Sequence, residues 1–170
     1  MVLEVIKKRK SIRSYLEKQI PRNVLLEILE AARKAPSASN RQPWKFIVVQ
    51  DNKLKQQLMK ASRNQRFVGE APIVIAGCAT NISHIMPNGV HSFPVDLSIA
   101  LDHITLQAAD LGLGTCWIGA FDQERVKEIL HIPKNVRVVC LMTLGYPAGN
   151  GLESSRKPLD DIICYNYYKE

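Results

Sequence analysis

The sequence predicts one α+β domain with a mixed sheet, and three observations lead there. Residues 45–50 (KFIVVQ), 71–79 (APIVIAGCA) and 136–146 (VRVVCLMTLGY) are apolar runs of strand type. Segments with helical spacing separate them, in the order β-α-β-α-α-β. No repeat, low-complexity tract or linker divides the 170 residues, and 46% hydrophobic content suits a single core over 1–170.

Each element has a local cause. A short first helix covers residues 3 to about 9. The second begins after Pro21, with Asn23 as its expected N-cap, and carries Val24, Leu25, Ile28, Leu29 and Ala32 on one face. KAPSASN ends it, since Pro36 disfavours helical geometry at Ala35. The strand KFIVVQ and the helix NKLKQQLMKA follow. APIVIAGCA is nearly continuous in apolar residues, as a strand buried on both faces requires. The helix over 95–111 has one stripe of Leu97, Ala100, Leu101, Ile104, Ala108 and Leu111, and a second of Val95, Ile99, Leu106 and Ala109. A helix apolar on two sides is buried on two sides, and in so small a domain the second side is expected at a subunit interface. GTCWIG reads as a short strand or turn, DQERVKEIL as a helix capped by Asp122, and 136–146 as a long strand.

Composition narrows the function classes. The net charge is +7, but the acidic residues are scattered and the densest aromatic cluster, CYNYYKE, lies away from the basic run. A nucleic-acid surface interleaves the two, so none is expected. The N-terminus has no signal-peptide pattern and no apolar run is long enough to span a bilayer. Cys78, Cys116, Cys140 and Cys164 lie far apart beside apolar residues, and are expected as buried, reduced thiols of a cytoplasmic protein.

Two glycine motifs fail on inspection. In GLGTCWIG the next glycine after G-x-G comes five residues on, not the dinucleotide spacing, and Ala120 and Phe121 stand where a phosphate loop needs Lys and Ser/Thr. His84, His91 and Cys78 match no familiar zinc spacing, and His103 reads as a core or interface histidine. No nucleophile–base constellation is present, so an enzyme of this sequence would rely on a cofactor.

Three polar clusters are candidates for holding one. KKRKSIRSY carries five positive charges over 7–15. If the chain is extended after Arg9, then Arg9, Ser11 and Arg13 point to one side and can hold a phosphate; if the helix continues, they scatter. On spacing alone the two are even. PSASNRQPWKF puts Ser37, Ser39, Asn40 and Gln42 in a loop between Pro36 and Pro43, either as a platform for a planar polar ring or as a capped turn. SSRKPL supplies Arg156 and Lys157 near the C-terminus.

These stretches together resemble the FMN-dependent nitroreductase family. The likeness rests on RKSIR, PSASNRQPWKF, NQRFVGEAPIVI, LGLGTCWIGAF and LGYP with RKPLDDI, five motifs in register along nearly the whole chain. It implies a nitroreductase-like fold: a central, mostly antiparallel sheet flanked by helices, in an intertwined homodimer with FMN at the subunit interface. By that resemblance Arg9, Lys10, Ser11 and Arg13, with Arg156, hold the phosphate and ribityl end. Ser37, Ala38 and Ser39 approach from the partner subunit with Gln42 nearby, Asn64 or Gln65 meets the pyrimidine edge, and Ile118 and Gly119 lie beside N5. The implied activity is ping-pong hydride transfer through flavin N5, from NADH or NADPH to a nitroaromatic, quinone or similar small acceptor. The alternatives are a specialised dehydrogenase, dehalogenase or flavin-consuming enzyme of the same fold, or a non-catalytic flavin- or nucleic-acid-binding module. GLESS before Arg156 departs from the family pattern, and 80–94 is shorter than the substrate-covering region of larger members.

Overall fold

The computed structural model describes residues 1–151 and 154–169. Its elements run α1 (Val2–Lys8), α2 (Arg22–Arg33), β1 (Trp44–Val49), α3 (Asn52–Ala61), α4 (Arg66–Glu70), β2 (Ile73–Ala79), α5 (Ser92–Asp110), β3 (Gly114–Ile118), α6 (Gln123–Ile129) and β4 (Arg137–Gly145). The four strands form one sheet in the order β1-β2-β4-β3. All three strand pairs are antiparallel, and the parallel component is a single bridge between Ser11 and Thr115. GTCWI is thus a full strand, and α4 adds a helix that residue spacing did not foretell.

Side-chain alternation along the central strands divides the core in two. Ile73, Ile75 and Ala79 of β2 face a cluster with Leu25 and Ile28 of α2 and Leu97, Leu101 and Ile104 of α5. Val74, Ala76 and Cys78 face the opposite cluster with Leu58 of α3, Phe67 and Val68 of α4 and Val126 of α6. The sheet is therefore covered on both sides, which is why β2 is buried throughout. A register shift lies between Gly77, paired with Cys140, and Cys78, paired with Val138. The extra residue reverses the alternation along β4, so that Val138 joins the second cluster while Cys140, Met142 and Leu144 join the first.

Helix ends follow local chemistry, with corrections. Asp122 caps α6 by accepting from Arg125 N at 3.0 Å, and Asp51 caps α3 by accepting from Leu54 N at 2.9 Å. Asn23 is not a cap: α2 starts at Arg22 with Pro21 before it and no side-chain cap bond. Helix α5 starts at Ser92, three residues earlier than the apolar spacing indicated. Its first stripe is fully buried from Leu97 to Ala108, with Leu111 half-buried just past the helix end, whereas Val95 is 43% exposed and Ile99, Leu106 and Ala109 are half-buried. The second stripe is the outer face of this chain. Cys164 corrects another expectation. It is exposed because the tail it lies in has no residue in either core cluster, whereas Cys78, Cys116 and Cys140 are buried and free.

Candidate cofactor site

The basic run leaves the helix where the sequence left two possibilities open. Arg9 has extended geometry, with ψ 121°, and ends α1. From there the chain runs beside β3: Ser11 bridges to Thr115, and Ile12 N donates to Thr115 O at 2.9 Å. Ile12 is buried, so its neighbours Ser11 and Arg13 turn to the other side. Gly114 makes this approach possible. A Cβ there would stand 2.7 Å from Cβ of Ile12, inside any real contact distance. Tyr15 closes the turn from behind, where its phenol donates to Ile12 O at 2.6 Å and lies 2.7 Å from Thr143 Oγ1. Burial holds the Tyr15 phenol protonated well above its ordinary range, against the smaller opposing pull of the Thr143 hydrogen bond.

The result is a clamp. Lys7, Arg9, Lys10, Ser11, Arg13, Ser154 and Arg156 line one open cavity of about 480 Å³. Five cations and two hydroxyl side chains meet there, with no carboxylate among its described lining residues. That donor set fits a phosphate monoester, which takes several charge-assisted hydrogen bonds at once. Arg156 reaches it from the tail, its Nη1 donating to Ser154 O at 3.1 Å and Ser155 O at 3.0 Å. The clamp's charge is felt in the core beneath it: burial raises the pKa of the Cys116 thiol, and Arg13 and Arg9 pull it partly back.

A second wall continues from the clamp. The Arg13 guanidinium lies 5.8 Å from the Phe67 ring centroid, which joins the clamp to α4. Asn64 and Gln65 precede that helix. Gln65 Nε2 donates to Ser62 O at 2.9 Å and Ala120 O at 3.3 Å, so the amide pair stands beside the end of β3. There the Ile118 side chain is buried in the core and its backbone pairs with Leu141 of β4, while Gly119 is exposed with open space at its Cβ position. Arg9, Lys10, Ser11, Arg13 and Arg156 thus line the clamp, and the Arg13–Phe67 and Gln65–Ala120 contacts tie it to the segments that carry Asn64, Gln65, Ile118 and Gly119.

The loop of Ser37, Ala38, Ser39 and Gln42 stands apart from it. Ala38 N donates to Asp96 Oδ1 at 2.8 Å, Gln42 N donates to Ser37 Oγ at 2.9 Å, and Ser39, Asn40 and Gln42 all have left-handed backbone. Thr80 N donates to Pro43 O at 3.0 Å, which ties the end of this loop to the end of β2. Asp96 lies in the first half of α5, while the cavity beside Arg9 and Lys10 is lined by Thr105 and Ala109 in its second half. At 1.5 Å per residue, roughly 14–20 Å of helix separates the two.

Residue spacing missed four contributors: Gly114, Tyr15, Phe67 and Asp96. The available signal was a polar residue in an apolar stripe, since Asp96 is 3% exposed between Val95 and Leu97. Its Oδ2 has no hydrogen-bond partner among the described residues. Among the described residues no three His, Cys, Asp or Glu side chains gather as a metal would need, and no helix is long and apolar enough to cross a membrane.

The family model described as the nitroreductase family matches residues 6–65 and 60–146. NADH dehydrogenase of Thermus thermophilus is 33% identical, over 93% of this chain and 92% of its own. FMN reductase (NAD(P)H) of Bacillus subtilis is 30% identical, over 95% of this chain and 72% of its own. The crystal structure of a nitroreductase family protein from Clostridium novyi superposes with a TM-score of 0.83 at 42% identity, covering 86% of this chain and 85% of that one.

Proposed function

The chain belongs to the nitroreductase family, and from that premise we propose an FMN-dependent NAD(P)H oxidoreductase that works as a single-domain subunit of a homodimer. The observation that carries the reading is the five-cation clamp, tied through Arg13 and Phe67 to the Asn64–Gln65 and Ile118–Gly119 wall. The names of the Thermus and Bacillus relatives support the donor and the cofactor.

The chain's own residues have distinct tasks. Arg9, Lys10, Ser11, Arg13 and Arg156 hold the phosphate end. The Asn64 and Gln65 amides face the pyrimidine edge of the ring, where donors favour the arrival of negative charge. Gly119 keeps the neighbouring backbone open to a flat partner. A flavin held there would supply the redox chemistry, ping-pong hydride transfer through N5 from NADH or NADPH to a nitroaromatic, quinone or similar acceptor. No side-chain acid or base is required, in keeping with a site built of amides, glycine and cations.

The dimer reading rests on what one chain leaves unfinished. A two-fold axis that sets two α5 helices antiparallel brings the Ser37–Ser39 loop of one chain to the clamp of the other. The half-open second stripe of α5 supplies an apolar surface for that contact. The tail adds to it, since Leu159, Ile162, Tyr165, Tyr167 and Tyr168 are all exposed and Tyr165 is 80% so. Four free cysteines suit the reducing setting of a cytoplasmic protein.

Purified protein tests this directly. It should carry FMN, lose its yellow absorbance on anaerobic addition of NADH or NADPH, and regain it with a nitroaromatic or quinone. Protein that cannot be loaded with FMN refutes the reading.

A further inference from the structure

A second cationic cavity lies beside the segments that carry Asn64 and Gly119. Lys60 at the end of α3, Arg63 just after it and Arg125 at the start of α6 line a space of about 580 Å³, with Phe121. The one carboxylate in its lining, Asp122, is already committed to capping α6. Arg125 pairs with Glu128 at 2.8 Å, but Lys60 and Arg63 have no side-chain partner among the described residues. Three cations converge there, and Lys60 and Arg63 have no carboxylate partner among the described residues.

The position relative to the wall gives the cluster its meaning. Arg63 directly precedes Asn64, and Phe121 follows Gly119 and Ala120. Two hydrogen bonds clasp these segments together: Gln65 Nε2 to Ala120 O at 3.3 Å and Asp122 N to Ala61 O at 2.8 Å. The cavity therefore adjoins the surface assigned to the flavin ring, and it shares no lining residue with the clamp. A dinucleotide whose nicotinamide stacks at that surface must lead its phosphates off one edge. The clamp edge is taken by the phosphate of FMN, so the cations of this neighbouring cavity are the available counter-charge.

We propose that Lys60, Arg63 and Arg125 form a docking site for the phosphates of the reduced nicotinamide dinucleotide, an inference that rests on the flavin reading above. These residues bind the donor outside the reacting ring. They govern its affinity rather than the rate of hydride transfer.

The test uses FMN-loaded protein carrying Lys60→Gln and Arg63→Gln, singly and together, and Arg125→Gln as a separate variant on a different element. Steady-state kinetics should show KM for the dinucleotide raised about fivefold per cation removed, and at least about tenfold in the double variant, with kcat little changed. Calorimetric titration with NADP⁺ and NAD⁺ should show the same weakening without turnover. FMN content should stay at the wild-type level in every variant. Added salt should raise KM in the wild type and much less in the double variant. A loss confined to NADPH and NADP⁺ assigns the site to the 2′-phosphate, and an equal loss for both nucleotides assigns it to the shared diphosphate. Unchanged KM and unchanged nucleotide binding in the double variant and in Arg125→Gln overturn the proposal. Wild-type protein that binds no FMN overturns the flavin reading itself, and the two failures are told apart by the absorbance of the loaded wild type.

Discussion

Replacing Gly114 with alanine tests whether the close contact between β3 and the basic segment positions the clamp. The added Cβ would stand 2.7 Å from Cβ of Ile12, about 0.7 Å inside the 3.4 Å at which ordinary contact begins. The nearest Ile12 atoms belong to a β-branched side chain that is itself buried, so rotation cannot relieve the overlap. Overpacking of this kind costs about 1–3 kcal/mol. In a domain of this size that lowers Tm by roughly 2–4 °C for each kcal/mol. The strand is held by its β4 ladder, so the segment that yields is the one with Ser11 and Arg13. Loss of a single charge-assisted contact to phosphate, about 1.5–3 kcal/mol, weakens FMN binding at least about tenfold. Flavin fluorescence titration of the apoprotein gives the dissociation constant, and a thermal melt gives Tm. Arg13→Ala in the Gly114→Ala background should lose less than Arg13→Ala in the wild type, because both act on one contact. FMN affinity within about twofold of the wild type in Gly114→Ala, with Tm unchanged, would refute the reasoning.

Asp96→Ala removes the acceptor of Ala38 N and leaves a buried donor unpaired, a cost of about 1–3 kcal/mol that should loosen the Ser37–Ser39 loop and weaken FMN retention severalfold. Asp96→Asn keeps an acceptor oxygen and should restore most of it; an Asn variant as weak as the Ala variant would show that the carboxylate charge matters instead. Leu106→Glu on the open stripe of α5 should convert the dimer to monomer in sedimentation and release FMN, and a monomer that remains fully yellow contradicts a shared site. Burial pushes the Cys78 and Cys140 thiols up to about 11, so at pH 8 only about one in a thousand is thiolate. A thiol reagent should therefore modify at most Cys164 in native protein and all four cysteines after denaturation. The same raised values make the folded state hold these protons longer than the unfolded chain. Their stabilising contribution is complete below pH 9 and is lost as pH rises toward 11. Urea melts across that range that show no fall would contradict the burial assigned to these thiols.

Much of this architecture is legible residue by residue. The continuous apolar run of β2 announced its two covered faces, and the two stripes of α5 announced two surfaces, only one of which is filled within the chain. Asp122 as a cap follows from its place before DQERVKEIL. What was hidden depends on contacts distant in sequence. Whether 9–13 is helix or extended chain was undecidable from its own letters, because the deciding partner is the edge of β3, a hundred residues later. Gly114 looked like part of a failed nucleotide motif until Ile12 filled the space above it. Asn23 misled because Pro21, with its fixed φ, starts the helix without a side-chain cap. Cys164 misled because apolar neighbours usually mean burial, and in the tail they mean only an uncovered surface.

Mixed dimers test the shared cofactor site most directly. One chain would carry Arg13→Ala with Arg156→Ala, which disables its clamp, and the other Ala38→Trp, which fills the space before its loop by bulk. Each variant alone should purify with little FMN. Co-expressed and isolated as the mixed dimer, the pair has one site with both defects and one with neither, so flavin absorbance should return to one FMN per dimer. A mixed dimer as colourless as its parents would mean that clamp and loop serve the same chain, and would contradict the account.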